Sequence, residues 1–170
     1  YLVTGRVERL KKKYGLTVRW THFPLHPETP DSGLSLEELF KGRGYDIEAM
    51  KQRMSSLMAE EKLPYGNRSH TYNSRLAQEL SKWGESFPEG EELNLKLFEA
   101  YFVEGYNLAE PEVLLDVTQA ARLSREVAEG VIRERLFRDA VNADWRRAHE
   151  FGVTGVPTFV SGNQGLVGAQ

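Results

Sequence analysis

Gly152-Val153-Thr154-Gly155-Val156-Pro157-Thr158-Phe159-Val160 compresses a helix end, a glycine-bracketed turn, a proline and the start of a β-branched strand into nine residues. Gly152 follows a helical run ending near Phe151 and suits the left-handed position just past a helix C-terminus. Gly155 offers a second unusual backbone angle. Pro157 stands at the mouth of a strand, where a missing N–H does no harm. A cis Val156–Pro157 bond would turn the N–H and C=O of Val156 outward and leave them unpaired; a trans proline in an ordinary helix-to-strand turn is the plainer alternative. Thr158-Phe159-Val160-Ser161 then reads as a strand, Gly162-Asn163-Gln164-Gly165 as a turn, and Leu166-Val167-Gly168-Ala169-Gln170 as the hairpin partner.

At the other end, Val3, Val7, Leu10 and Tyr14 recur at helical spacing with charges opposite, and Lys11, Lys12 and Lys13 suit the negative end of a helix dipole. Gly15 closes that helix. Residues 16–23 (Leu-Thr-Val-Arg-Trp-Thr-His-Phe) are β-branched and aromatic in alternation and read as a strand. Pro24, Pro27 and Pro30 forbid regular structure directly after it.

Residues 35–151 read as helices. Ser35 and Glu38 form a capping box, Asp46 caps a helix over 47–61, and Asn73 caps one with Leu76, Leu80, Trp83 and Phe87 inward. Pro88 breaks it, and Leu93, Leu97, Phe98 and Tyr101 mark the next. Pro111 opens another, carrying Val113, Leu114 and Val117. Ser124 begins the last segment, with Val127, Val131, Ile132, Phe137, Val141 and Trp145 apolar at helical spacing. Met50, Met54 and Met58 form a stripe that reads first as core and second as an adaptable peptide-binding surface.

Composition narrows the functional classes. The 170 residues carry a net charge of −3, are 40% hydrophobic and 28% charged, and contain no cysteine. A basic footprint for nucleic acid is absent, as is an apolar run long enough to span a bilayer. Structural disulfides cannot form within these residues, and a cytoplasmic setting is the working expectation. No metal site is expected, because nothing fixes the geometry of His22, His26 and Glu28. Sequence spacing offers His70 and His149 neither a serine nor a carboxylate partner, and no nucleophile-elbow motif is present. The sequon Asn67-Arg68-Ser69 reads as chance.

The nonapeptide 152–160 resembles the cis-proline loop of thioredoxin-fold proteins, in particular the DsbA-like thiol-disulfide oxidoreductases and their FrnE-like branch. The proline-rich segment 23–30, the Tyr1-Leu2 helix start and Asn73-Ser74-Arg75 are similar as well. The resemblance implies an α/β fold. A thioredoxin-like sheet, its first strand not among these residues, is interrupted by a large helical insertion. Residues 1–30 and 150–170 would form the thioredoxin-like part, incomplete at both ends, and 31–149 the insertion and connecting helix. In such a sheet the first strand lies between the second strand and the hairpin, so without it both would present open edges.

The resemblance also implies a cis Val156–Pro157 bond and a Cys-x-x-Cys pair just before Tyr1, where a helix N-terminus would stabilise a thiolate. The activity implied is disulfide oxidoreduction or isomerisation on a thiol- or disulfide-bearing protein or peptide. No resident cofactor is expected; glutathione is a candidate co-substrate, and a homodimer is compatible. No residue present would be the nucleophile. The substrate-binding set would be Gly155, Val156, Pro157 and Thr158, with Tyr1, Leu2 and Phe23 as neighbours. Two alternatives stay open. One is a glutathione-dependent enzyme of the kappa-class transferase or 2-hydroxychromene-2-carboxylate isomerase type, with serine in place of the cysteine. The other is a non-catalytic peptide-binding module.

Overall fold

The computed structural model describes residues 1–169, and Gln170 of the expected hairpin partner lies outside the described residues. The elements in chain order are α1 (Thr4–Tyr14), β1 (Leu34–Ser35), α2 (Leu36–Leu39), α3 (Ile47–Glu60), β2 (His70–Thr71), α4 (Arg75–Gly84), α5 (Gly90–Phe102), α6 (Pro111–Ala120), α7 (Arg125–Glu134), α8 (Arg138–Glu150), β3 (Thr158–Ser161) and β4 (Gln164–Val167). The described residues are mostly helical, with two small antiparallel sheets, β1–β2 and β3–β4.

The core belongs to α4 through α7. Leu80, Leu93, Leu97, Leu114, Val117 and Val131 meet in one buried cluster. Helix α4 is its hub, packed on α5, α7 and α8, while α5 leans on α6 and α6 on α7. Helix α8 adds Val141, fully buried. Each of these side chains removes apolar surface from water, a gain of about 1.5–3 kcal/mol for a fully buried leucine.

Local signals account for most helix ends. The Ser35 hydroxyl accepts from the Glu38 N–H while the Glu38 carboxylate accepts from the Ser35 N–H, a complete capping box, although α2 runs only four residues. Asp46 accepts from the Ala49 N–H, Pro111 is the first residue of α6, and Ser124 caps α7. Gly15, at φ +64°, closes α1.

Several sequence expectations are corrected. Residues 16–23 form no strand. Their pattern fits a sheet, but a strand exists only through a ladder, and among the described residues none lies alongside. The 31–149 segment is not all helix, because Leu34–Ser35 and His70–Thr71 pair as a short ladder. The hairpin turn is shorter than expected: Ser161 pairs with Gln164, leaving only Gly162 and Asn163 between the strands. Asn73 is not itself the N-cap of α4. Ser74 holds that position, while the Asn73 amide oxygen still accepts from the Arg75 N–H.

The last helical segment is two helices. Arg135 adopts a left-handed φ of +54° and ends α7 before α8 begins. Of the methionine stripe, Met58 alone is buried; Met50 is exposed and Met54 half-buried. Phe87, expected inward, is exposed, as are Leu10, Tyr14 and Val127 of the apolar helical spacings.

Candidate functional site

The loop after α8 is set by its glycine. Gly152 has φ +67°; its N–H donates to the His149 carbonyl and the Val153 N–H to the Ala148 carbonyl, which satisfies the last carbonyls of α8. Gly155 is not in the left-handed region, contrary to the sequence reading; a side chain there would meet nothing within 4 Å. The Val156–Pro157 peptide is cis. The Thr158 hydroxyl donates to the Gly155 carbonyl at 2.6 Å, and the Gly168 N–H donates to the Pro157 carbonyl at 2.8 Å. Among the described residues, neither the N–H nor the C=O of Val156 has a hydrogen-bond partner, and its side chain is half exposed. The loop thus presents one main-chain donor and one acceptor to whatever approaches.

The start of α1 is largely covered, with Val3 and Thr4 buried. The Thr4 N–H bonds the Tyr1 carbonyl and the Val7 N–H the Val3 carbonyl. No side chain caps this end and no acidic residue lies in the first turn, while three lysines occupy the last. The positive end of the helix dipole therefore lacks a protein counter-charge. Leu2 is half-buried. The Tyr1 ring stacks on Phe102, with centroids 5.6 Å apart, and approaches Phe98 at 6.1 Å. Trp20 reaches the same Phe98 ring. Burial, and then the charge of Glu99, raise the Tyr1 phenol above the ordinary tyrosine value.

Phe23 belongs to a third group. Its carbonyl accepts from the Gln78 amide at 3.3 Å, and Gln78 in turn accepts from the Trp145 indole N–H at 2.7 Å. Next to it, the His22 backbone N–H donates to Asp144 at 3.2 Å. The His22 Nε2 is enclosed without a partner, and burial pushes the ring down to about 4. His22, Glu85 and Asp144 place donor atoms within 4.8 Å of one another. The Lys82 ammonium already bridges the two carboxylates, at 2.9 Å from Glu85 and 3.0 Å from Asp144. A metal would have to displace it. His26 is elsewhere, 3.9 Å from Glu28.

The structure therefore gathers Gly155, Val156, Pro157 and Thr158 into one loop, Tyr1 and Leu2 at the mouth of α1, and Phe23 against α4. Among the described residues, no hydrogen bond, ion pair or ring contact joins the three groups. Sequence reasoning missed Phe102 as the ring that carries Tyr1, although Phe98 and Phe102 lie one turn apart on α5. His70 does have a serine neighbour, Ser69, whose hydroxyl lies 2.9 Å from Nδ1; the signal was simple adjacency. Arg75, read only as part of a capping segment, anchors a partly buried network. Its guanidinium lies 4.4 Å from the Trp145 ring and bonds Glu79, Asn142 and the Arg138 carbonyl.

Helix α1, the helical block and the hairpin behind a proline loop are what define the class. The chain belongs to the DSBA-like thioredoxin domain family, whose model matches residues 1–170. The structure superposes on that of the probable DsbA oxidoreductase SCO1869 from Streptomyces coelicolor with a TM-score of 0.90 at 25% identity, covering 100% of this chain and 78% of that one. It is similar also to a 2-hydroxychromene-2-carboxylate isomerase, with a TM-score of 0.75 at 22% identity over 98% of this chain and 81% of the other; that likeness concerns the fold. The uncharacterized protein YwbO of Bacillus subtilis (strain 168) is 27% identical over 101 residues, 59% of this chain, and the chain spans about half the length of that curated relative. The fold is thus a DsbA-like thioredoxin fold carrying a helical insertion. No helix among the described residues is long and apolar enough to cross a membrane.

Proposed function

We propose that the protein is a thiol-disulfide oxidoreductase or isomerase acting on a disulfide-bearing protein or peptide in the cytoplasm. The observation that carries the reading is the family match over residues 1–170. The geometry of two places supports it: the uncapped N-terminus of α1 and the unpaired main chain of Val156. The nucleophile would be the thiolate of the first cysteine of a Cys-x-x-Cys pair just upstream of Tyr1, about four positions before it, where the helix dipole lowers the thiol pKa and favours the anion. That thiolate attacks one sulfur of the substrate disulfide, the S–S bond breaks, and the other substrate sulfur leaves as a thiolate. A second cysteine then attacks the mixed disulfide, so the substrate leaves reduced and the protein oxidised. Run backwards, the same steps oxidise a substrate dithiol.

Val156 would hold an extended substrate segment by strand-like hydrogen bonds, with Gly155, Pro157 and Thr158 shaping the loop and Tyr1, Leu2 and Phe23 bordering the approach. In this reading 1–30 and 150–170 form the thioredoxin-like part and 31–149 the insertion. The test is the intact mass of the full-length protein after exposure to glutathione disulfide. An internal disulfide or a glutathionyl adduct is expected, and an unchanged mass would contradict dithiol chemistry.

A second reading draws support from the isomerase-like fold. A serine before Tyr1 would hydrogen-bond the thiolate of bound glutathione instead of attacking a disulfide. Retention on immobilised glutathione with no covalent adduct would favour it.

A further inference from the structure

Arg68 carries a charge that the protein leaves unanswered. The other arginines without a carboxylate in ion-pair range are all exposed; Arg68 alone among the described residues is half-buried and unpaired. Its guanidinium lies 4.5 Å from the centre of the Tyr101 ring and 5.8 Å from that of Phe102. One nitrogen, Nη1, donates to the Tyr101 hydroxyl at 2.6 Å and to the His70 carbonyl at 2.8 Å. Of the other two nitrogens, Nε is enclosed without an acceptor, and Nη2, also unbonded, is not enclosed and alone can meet a ligand. The rings fix the fork in place and compensate part of its charge. They offer no anion, and an uncompensated, partly buried cation is costly.

Its position gives the charge a use. Phe102 is the ring on which Tyr1 stacks, so Arg68 and the mouth of α1 share one aromatic support. The preceding residues Tyr65, Gly66 and Asn67 wall an open groove of about 290 Å³ against α3, where Lys51 and Glu48 face it. A guanidinium with one outward, unbonded nitrogen, held by aromatic stacking next to residues that line a groove, suits a carboxylate better than any neutral group. We propose that Arg68 binds a carboxylate of the ligand that enters beside Tyr1, so that the protein selects acidic thiol or disulfide ligands. This rests on the disulfide-exchange reading above.

Two sources could supply the carboxylate, a small peptide thiol such as glutathione or an acidic side chain beside a polypeptide disulfide. Calorimetric titration of the full-length protein with glutathione and with its diester reads the first. A pair of disulfide peptides differing only by Glu or Gln next to the half-cystine reads the second. At least one acid should bind about ten-fold more tightly than its neutral counterpart, a difference of about 1.4 kcal/mol. That preference should vanish in Arg68→Gln and shrink in Arg68→Lys, which keeps the charge and loses the planar group stacked on the rings. Equal affinity for acid and neutral forms in both pairs, or a preference that survives Arg68→Gln, would overturn the proposal. The comparison in the unsubstituted protein stands whether or not either variant folds. Disulfide exchange with no acid preference would sink this inference alone; an acid preference without exchange would sink the enzymatic reading alone.

Discussion

Glu79 shows how much one side chain can hold. Its carboxylate, 4% exposed, receives Arg75 Nε at 2.7 Å and Arg135 Nε and Nη2 at 2.7 and 2.8 Å. Burial pushes the carboxyl up, and the bonds from Arg135 and Arg75 outweigh it, leaving the group below the ordinary glutamate range. Replacing it, as Glu79→Gln, leaves two guanidiniums facing a neutral amide, and a loss of about 3 kcal/mol in urea-unfolding free energy is expected. Because the folded value is depressed, this contribution is present above about pH 4.5 and fades as pH falls through the folded value.

His22 titrates in a different window. Its folded value of about 4 lies below the ordinary histidine value of 6.5, through burial first; Asp144 raises it, and Lys82 and Arg75 lower it. Between these two values the unfolded chain binds a proton that the folded chain refuses. Stability therefore falls on acidification from about pH 6.5 to 4, by on the order of 3 kcal/mol. Urea midpoints across that range should show a steep slope in the unsubstituted protein and a shallower one in His22→Asn. Equal slopes would mean that the ring is not held neutral.

Among elements, the legible ones were those whose causes are local. Ser35, Asp46, Pro111 and Ser124 set their helix ends from within one turn, and Gly152 closes α8 through a conformation that glycine adopts freely. Residues 16–23 carried the right alternation and still form no strand, because a ladder depends on a partner far away in sequence. The break between α7 and α8 was invisible for a related reason. Arg135 takes a left-handed angle that arginine seldom adopts and bonds Glu79, 56 residues earlier. The candidate site divides likewise. The proline loop could be read from nine consecutive residues, whereas the support of Tyr1 by Phe102 and the isolation of Arg68 needed the folded chain.

Gly66 offers a test at this level. Its N–H bonds the Phe102 carbonyl at 3.0 Å, and a Cβ there would run into the Val103 carbonyl oxygen. Gly66→Ala should push the 62–67 loop off the end of α5 and cost about 2 kcal/mol; Gly130→Ala, with open space around it, should stabilise slightly. Thermal midpoints of the two variants should move in opposite directions.

At the scale of the molecule, a buried helical core stands beside an exposed proline loop and hairpin. Leu80, Leu93 and Leu114 are fully buried, whereas Val156, Phe159, Val160, Leu166 and Val167 of the loop and hairpin are exposed. Leu114→Ala should therefore lower global stability by about 3 kcal/mol while leaving the loop chemistry intact. The division suits an exchange enzyme, whose receiving backbone must stay open while its scaffold stays fixed.

Reduction of insulin disulfides by the full-length protein in the presence of glutathione tests the central claim most directly. The account predicts turnover well above the glutathione background and suppressed by prior alkylation of the protein's thiols. A rate equal to that background would contradict it.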